Sequence, residues 1–153
     1  MDKKLRILIL EDVPADAELT EYELRKAGVE FISKRVDTRE AFQKALIDFS
    51  PDLILSDYSL PSFDGLAAFT IAQEERPDVP FILVTGVMGE EFAIEALRKG
   101  VTDYVLKSNL TRLVPVVHRA LQEAAERSNL KQIENLCKRV KSYTVFSQRI
   151  HPM

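Results

Sequence analysis

The sequence predicts an α/β fold: a doubly wound, five-stranded parallel sheet with helices on both faces, plus a helical extension at the carboxyl end. Three observations carry this expectation. Short aliphatic runs alternate with amphipathic stretches of helical period, five times between residue 5 and about residue 125. The aliphatic runs are nearly continuous, as in strands covered on both faces. Five β/α units are also too few for a barrel, which needs eight.

Each element has its own signal. "LRILIL" (5–10) is the first strand, and "PADAELTEYELRKAG" (14–28) is a helix that opens on Pro14 and stops at Gly28. "FISKRV" (31–36) is the second strand. "TREAFQKALIDF" (38–49) is a helix with Ala41, Phe42, Ala45, Leu46 and Phe49 on one face. "DLILS" (52–56) is the third strand, and "GLAAFTIAQEE" (65–75) a helix closed off by "RPDVP". "FILVT" (81–85), "EEFAIEALRKG" (90–100) and "DYVLK" (103–107) supply the fourth strand, fourth helix and fifth strand. A long helix then begins between Asn109 and Pro115, since proline suits a first turn. The pattern is that of a flavodoxin-like sheet.

Composition narrows the class. At 153 residues, with 46% hydrophobic and 29% charged residues, the chain is one ordinary globular domain with an appendage. A net charge of −3 argues against a nucleic-acid surface, which carries a basic patch. No apolar run approaches the ~20 residues of a membrane span, and the start "MDKKLRILIL" meets Glu11 and Asp12 where a signal peptide would have a cleavage site. One cysteine, Cys137, excludes an internal disulfide and a cysteine zinc cluster, and a reducing cytoplasm is the simplest home.

The chemistry lies at the strand ends. In a doubly wound sheet, ligands bind outside the carboxyl ends of the strands. There the first strand delivers Glu11 and Asp12, the third Asp57, the fourth Thr85 and Gly86, and the fifth Lys107. An aspartate after one strand is most simply a turn or cap residue; four strands ending in complementary groups are not so explained. Clustered carboxylates repel unless a cation joins them. Oxygen ligands without His or Cys suit a hard ion such as Mg²⁺. Lys107 adds a positive charge, and Thr85 a donor for an oxyanion. Such a site can place a phosphoryl group on a carboxylate, and Asp57, central in the set, is the expected acceptor.

These residues resemble the receiver domain of response regulators in two-component signalling, over residues 5 to about 125. The resemblance rests on the Glu11–Asp12 pair, Asp57, the "LPSFDG" loop (60–65), Thr85 and Lys107, with Tyr104 at the family's aromatic switch position. It implies that Glu11, Asp12, Asp57 and the backbone carbonyl of Ser59 hold Mg²⁺. Asp57 would take phosphoryl from the phosphohistidine of a histidine kinase or phosphotransfer protein, with Lys107 and Thr85 binding the phosphate and Thr85 and Tyr104 switching. Gly86 would leave the phosphate reachable, and Ser59 and Val87 occupy positions that tune its hydrolysis. The resemblance implies no enzyme activity beyond the domain's own phosphorylation and dephosphorylation.

Two positions depart from the family pattern. Val13 stands where Asn is common, which removes a side-chain partner for the first helix. Ser108 stands where Pro usually follows the lysine; a cis bond before Ser costs roughly 2.5–4 kcal/mol, so the isomer at Lys107–Ser108 is left open. His118 in "VVHRAL" reads as a helix-surface histidine and His151 as part of a frayed tail. Two other functions fit less well. A haloacid dehalogenase-type phosphatase wants a second Asp two residues after the nucleophile, where this chain has Ser59. A phosphorylation-independent interaction module would lack one of the site residues, and none is missing.

The expected division is a receiver over 1–127 and a helical extension or linker over 128–153. A stripe of Leu110, Leu113, Val114, Val117 and Leu121 is expected to pack on the sheet. Beyond it, Leu130, Ile133, Cys137 and Val140 recur at 3-4-3 spacing, flanked by Leu136 and Tyr143. That row suits a homodimeric coiled-coil seam. The chain is either a stand-alone receiver or the amino-terminal part of a longer sensor kinase or regulator, and the uninterrupted helix favours the second.

Overall fold

In the computed structural model the described residues are 4–61, 63–86 and 90–147, with side chains described as far as Cys137 apart from Glu90 and Asn135. Strands β1 (Leu5–Leu10), β2 (Phe31–Val36), β3 (Leu53–Ser56), β4 (Phe81–Thr85) and β5 (Asp103–Leu106) alternate with helices α1 (Pro14–Lys26), α2 (Arg39–Asp48), α3 (Gly65–Glu75), α4 (Glu90–Lys99) and α5 (Leu113–Ser147). The strands form one parallel sheet of order β2-β1-β3-β4-β5. The predicted elements are all present, with ends shifted by a residue or two. Lys107 belongs not to β5 but to a 3₁₀ turn, Lys107–Arg112, which leads into α5.

The alternation of side chains along each strand builds two cores. Leu8, Leu10 and Ile54 face a layer with Phe42, Leu46, Ala68, Phe69 and Ala96 from α2, α3 and α4. Ile7, Ile9, Leu53 and Leu55 face Ala17 and Leu24 of α1 and Leu113, Val116, Val117 and Ala120 of α5. Because both faces are covered, the central strands need aliphatic residues at every position, which is why their sequence runs are continuous. Val116 and Ala120 are buried in the α5 contact, while Leu110, Val114 and Leu121 are only partly so. The face of α5 toward the sheet is thus rotated slightly from the expected stripe.

Local chemistry sets the boundaries. Thr38 caps α2 by accepting from the Ala41 amide at 3.1 Å, and Asp64 caps α3 by accepting from the Ala67 amide at 2.7 Å. Val13, at the cap of α1, offers no side-chain bond, as its substitution for Asn implied. Gly28 ends α1 at φ 86°, a left-handed conformation that glycine takes without strain. No described peptide bond is cis, so Lys107–Ser108 is trans. Two compact units are resolved, Met1–Leu121 and Gln122–Met153.

Candidate functional site

The sheet order reverses between β1 and β3, since the chain leaves β1 toward β2 on one side and returns to β3 on the other. Crevices form at such reversals, outside the carboxyl ends of the strands. Leu10 pairs with Ser56 in the β1–β3 ladder, and the next step, the Asp57 amide to the Leu10 carbonyl at 2.9 Å, sets Asp57 beside the end of β1. Glu11 is fixed from its other side: its amide donates to the Val36 carbonyl, and its own carbonyl accepts from Arg35 Nη1 at 3.0 Å. Glu11 is 5% exposed and Asp57 9%.

Glu11, Asp12 and Asp57 each offer a carboxylate oxygen, and these oxygens all lie within 4.8 Å of one another. Three oxygen donors, with no nitrogen or sulfur among them, suit a hard cation of the Mg²⁺ type. Lys107 closes the site. Its Nζ stands 2.8 Å from Glu11 Oε1, 2.8 Å from Asp16 Oδ2 and 3.1 Å from Asp57 Oδ2. Burial pushes the Glu11 carboxyl up to about 7, and the neighbouring Asp57 charge adds to this; bonds from Lys107 and the Val13 amide act the other way. Burial alone would lower the Lys107 ammonium, but its bonds to Asp16, Glu11 and Asp57 outweigh that and hold it above the ordinary lysine range.

The loop after Asp57 is shaped by a close approach. The Gly65 amide donates to the Tyr58 carbonyl at 2.7 Å, and a Cβ on Gly65 would lie 2.9 Å from both the Asp57 carbonyl oxygen and Tyr58 Cα. Only glycine fits where α3 starts against the acceptor loop. The Asp64–Gly65 pair therefore caps the helix and lets it pass behind Asp57.

A family model for the response regulator receiver domain matches residues 7–118. The chain belongs to that family. It is 31% identical over 149 residues to a protein-glutamate methylesterase/protein-glutamine glutaminase of Archaeoglobus fulgidus, covering 92% of this chain and 42% of that protein. It is 30% identical over 128 residues to the response regulator protein FleR of Pseudomonas aeruginosa, covering 84% of this chain and 25% of that one. The crystal structure of the receiver domain of NtrX from Brucella abortus superposes with a TM-score of 0.69 at 27% identity, covering 76% of this chain and 98% of that chain. A putative response regulator from Chloroflexus aurantiacus gives 0.68 at 27% identity, with 78% and 99% covered. The chain thus spans less than half the length of these two curated relatives, and the likeness lies in the receiver domain of two-component signalling.

Receiver domains bind Mg²⁺ at an acidic pocket, and in this receiver the Glu/Asp/Asp group stands at the reversal of the sheet. Of the residues expected at the site, Glu11, Asp12, Asp57 and Lys107 come together as described. Ser59 adjoins them through its amide, which donates to Asp57 Oδ1 at 3.4 Å. Thr85 is buried at the end of β4, its hydroxyl 3.4 Å from the Gly86 carbonyl. Tyr104 is half-buried against the α2–α4 core and lies under Arg112, whose guanidinium is 5.8 Å from the ring and donates to the Tyr104 carbonyl at 3.2 Å. His118 is exposed on α5, as expected. Val87 and His151, and the side chains of Val140 and Tyr143, lie outside the described residues.

Two charged residues escaped sequence reasoning. Asp16 pairs with Lys107; its position in the first turn of the helix that follows the acid pair was the available signal. Asp103 is 8% exposed, accepts from the Tyr104 amide, and is paired with Arg119 and Arg112. An acid opening a short strand gave no sign of that burial. Among the described residues no helix is long and apolar enough to cross a membrane.

Proposed function

We propose that Asp57 is the phosphoacceptor of this receiver. The carrying observation is the Asp57 carboxylate at the end of β3, grouped with Glu11 and Asp12 and ion-paired to Lys107. Glu11, Asp12, Asp57 and the Ser59 backbone carbonyl would hold Mg²⁺, which supplies charge neutralisation for the incoming phosphoryl group. The donor is the phosphohistidine of a histidine kinase or phosphotransfer protein. An Asp57 carboxylate oxygen forms the new O–P bond, the N–P bond breaks, and the imidazole leaves with that electron pair. The Lys107 ammonium exchanges its Asp57 contact for a phosphoryl oxygen as a charge-assisted donor, and the Thr85 hydroxyl donates to another. A Cβ at Gly86 would meet nothing within 4 Å, so packing does not demand glycine there and its small size favours access. Thr85, turning to the phosphoryl group, and Tyr104, repacking in response, pass the change to the α4–β5 face, which is the switching step. The domain catalyses only its own phosphorylation and dephosphorylation, works in the cytoplasm, and takes neither nucleic acid nor membrane as a partner.

Incubated with Mg²⁺ and a small phosphodonor, the protein should gain one phosphoryl group, labile to base and to hydroxylamine, and mass spectrometry of the intact chain reads it. Chelating the metal should stop the gain. Uptake that is unchanged by chelation would remove Mg²⁺ from the reading.

The same reading takes residues 1–127 as the receiver and 128–153 as an extension that brings two copies together. Leu130, Ile133 and Leu136 are 58%, 54% and 56% exposed at helical spacing, and Cys137 is exposed beside them. Burying each such side chain is worth ~1.5–3 kcal/mol, and a second copy of the helix provides a matching seam. Sedimentation should show a dimer for the whole chain and a monomer for a version ending at Arg127. Monomers for both at tens of micromolar would end the seam idea.

A further inference from the structure

Lys107 has three N–H donors and finds three carboxylates, Glu11 and Asp16 at 2.8 Å and Asp57 at 3.1 Å. Glu11 and Asp57 also belong to the group of oxygens that a cation would take, and Asp16 does not. A cation and the ammonium therefore compete for the same carboxylates, while Asp16 is the lysine partner with no second task. The Lys107 side chain is 24% exposed, so an ammonium stripped of all its carboxylates would be poorly solvated.

We propose that Asp16 is a positioning residue for Lys107: it holds the ammonium at the α1 side of the rim, so that Glu11 and Asp57 can turn to a cation and a phosphoryl group while Lys107 stays in place. This rests on the reading of Asp57 as the acceptor. The local structure favours a fixed Asp16. Its amide donates to the Val13 carbonyl at 3.1 Å, its own carbonyl accepts from the Thr20 hydroxyl at 3.1 Å, and the Val13 amide donates to Glu11 Oε2 at 3.2 Å. One turn of backbone thus ties the strand-end acid to the helix acid. The link to Lys107 crosses 91 residues of sequence.

A plainer role for an acid in a first helical turn is to complement the helix dipole, which stabilises the fold and nothing more. The two roles separate in a double-variant cycle on the full chain. Mg²⁺ affinity is measured calorimetrically on the unphosphorylated parent, Asp16→Asn, Lys107→Met and the double variant, with melting without metal as a check on each fold. Acting through Lys107, Asp16→Asn should weaken Mg²⁺ binding about three- to tenfold in the parent and less than about twofold in the Lys107→Met background. Asp16→Glu, which keeps the charge, should bind Mg²⁺ within about twofold of the parent. Equal weakening in both backgrounds would overturn the proposal and leave Asp16 a dipole or bulk-charge residue. Phosphoryl uptake by the parent is followed alongside: uptake at Asp57 with equal weakening sinks this inference alone, whereas no uptake sinks the reading beneath it as well.

Discussion

Asp57→Ala should abolish phosphoryl uptake while the domain stays folded. With Asp57 as the proposed acceptor, the substitution removes the atoms that would form the O–P bond, so the expected loss is complete, not graded. Folding should survive for identifiable reasons. The Asp57 amide bond to Leu10 and the Ser56 hydroxyl bond to the Asp57 carbonyl use backbone atoms that alanine retains. Lys107 keeps Glu11 and Asp16 as partners, and Glu11 loses a neighbouring like charge that helps to raise its carboxyl. The measurement is phosphoryl incorporation with Mg²⁺ and a small phosphodonor, read as intact mass, with thermal melting as the folding control. A folded Asp57→Ala variant that gains phosphoryl as readily as the parent would assign the acceptor elsewhere.

Gly65→Ala should be the most damaging single-methyl change at the site. The new Cβ would sit 2.9 Å from the Asp57 carbonyl oxygen, 2.9 Å from Tyr58 Cα and 3.0 Å from Leu83 Cδ2. Two of these three neighbours are backbone and cannot rotate away, so α3 or the acceptor loop must move. Overpacking of this kind costs about 1–3 kcal/mol, which for a domain of this size lowers the melting temperature by roughly 2–4 °C per kcal/mol. Because the displaced atoms belong to Asp57 and Tyr58, phosphoryl uptake should slow as well. Gly86→Ala is the matched control for stability, since its Cβ would meet nothing within 4 Å and the melting temperature should hold. Equal melting of the parent, Gly65→Ala and Gly86→Ala would show that the loop has slack that the 2.9 Å contacts deny.

The sequence by itself determined the element order, the parallel sheet and the strand-end acids. It could do so because these properties are local: a strand covered on both faces needs an unbroken aliphatic run, and Asp64 and Thr38 cap the helices that follow them whatever lies elsewhere. Even the missing cap at Val13 was legible, since valine has no side-chain acceptor. The tertiary structure alone decided which charges meet. Asp16 reaches Lys107 because α1 and the turn after β5 both stand at the rim, and no periodicity encodes a distance between residues 91 apart. Asp103 is buried because α5 carries Arg119 to it and Arg112 reaches back from the preceding turn. The face that α5 turns to the sheet, with Val116 and Ala120 inward, is chosen by packing against Ile7, Ile9, Leu53 and Leu55, which a stripe read at 3.6 residues per turn does not encode.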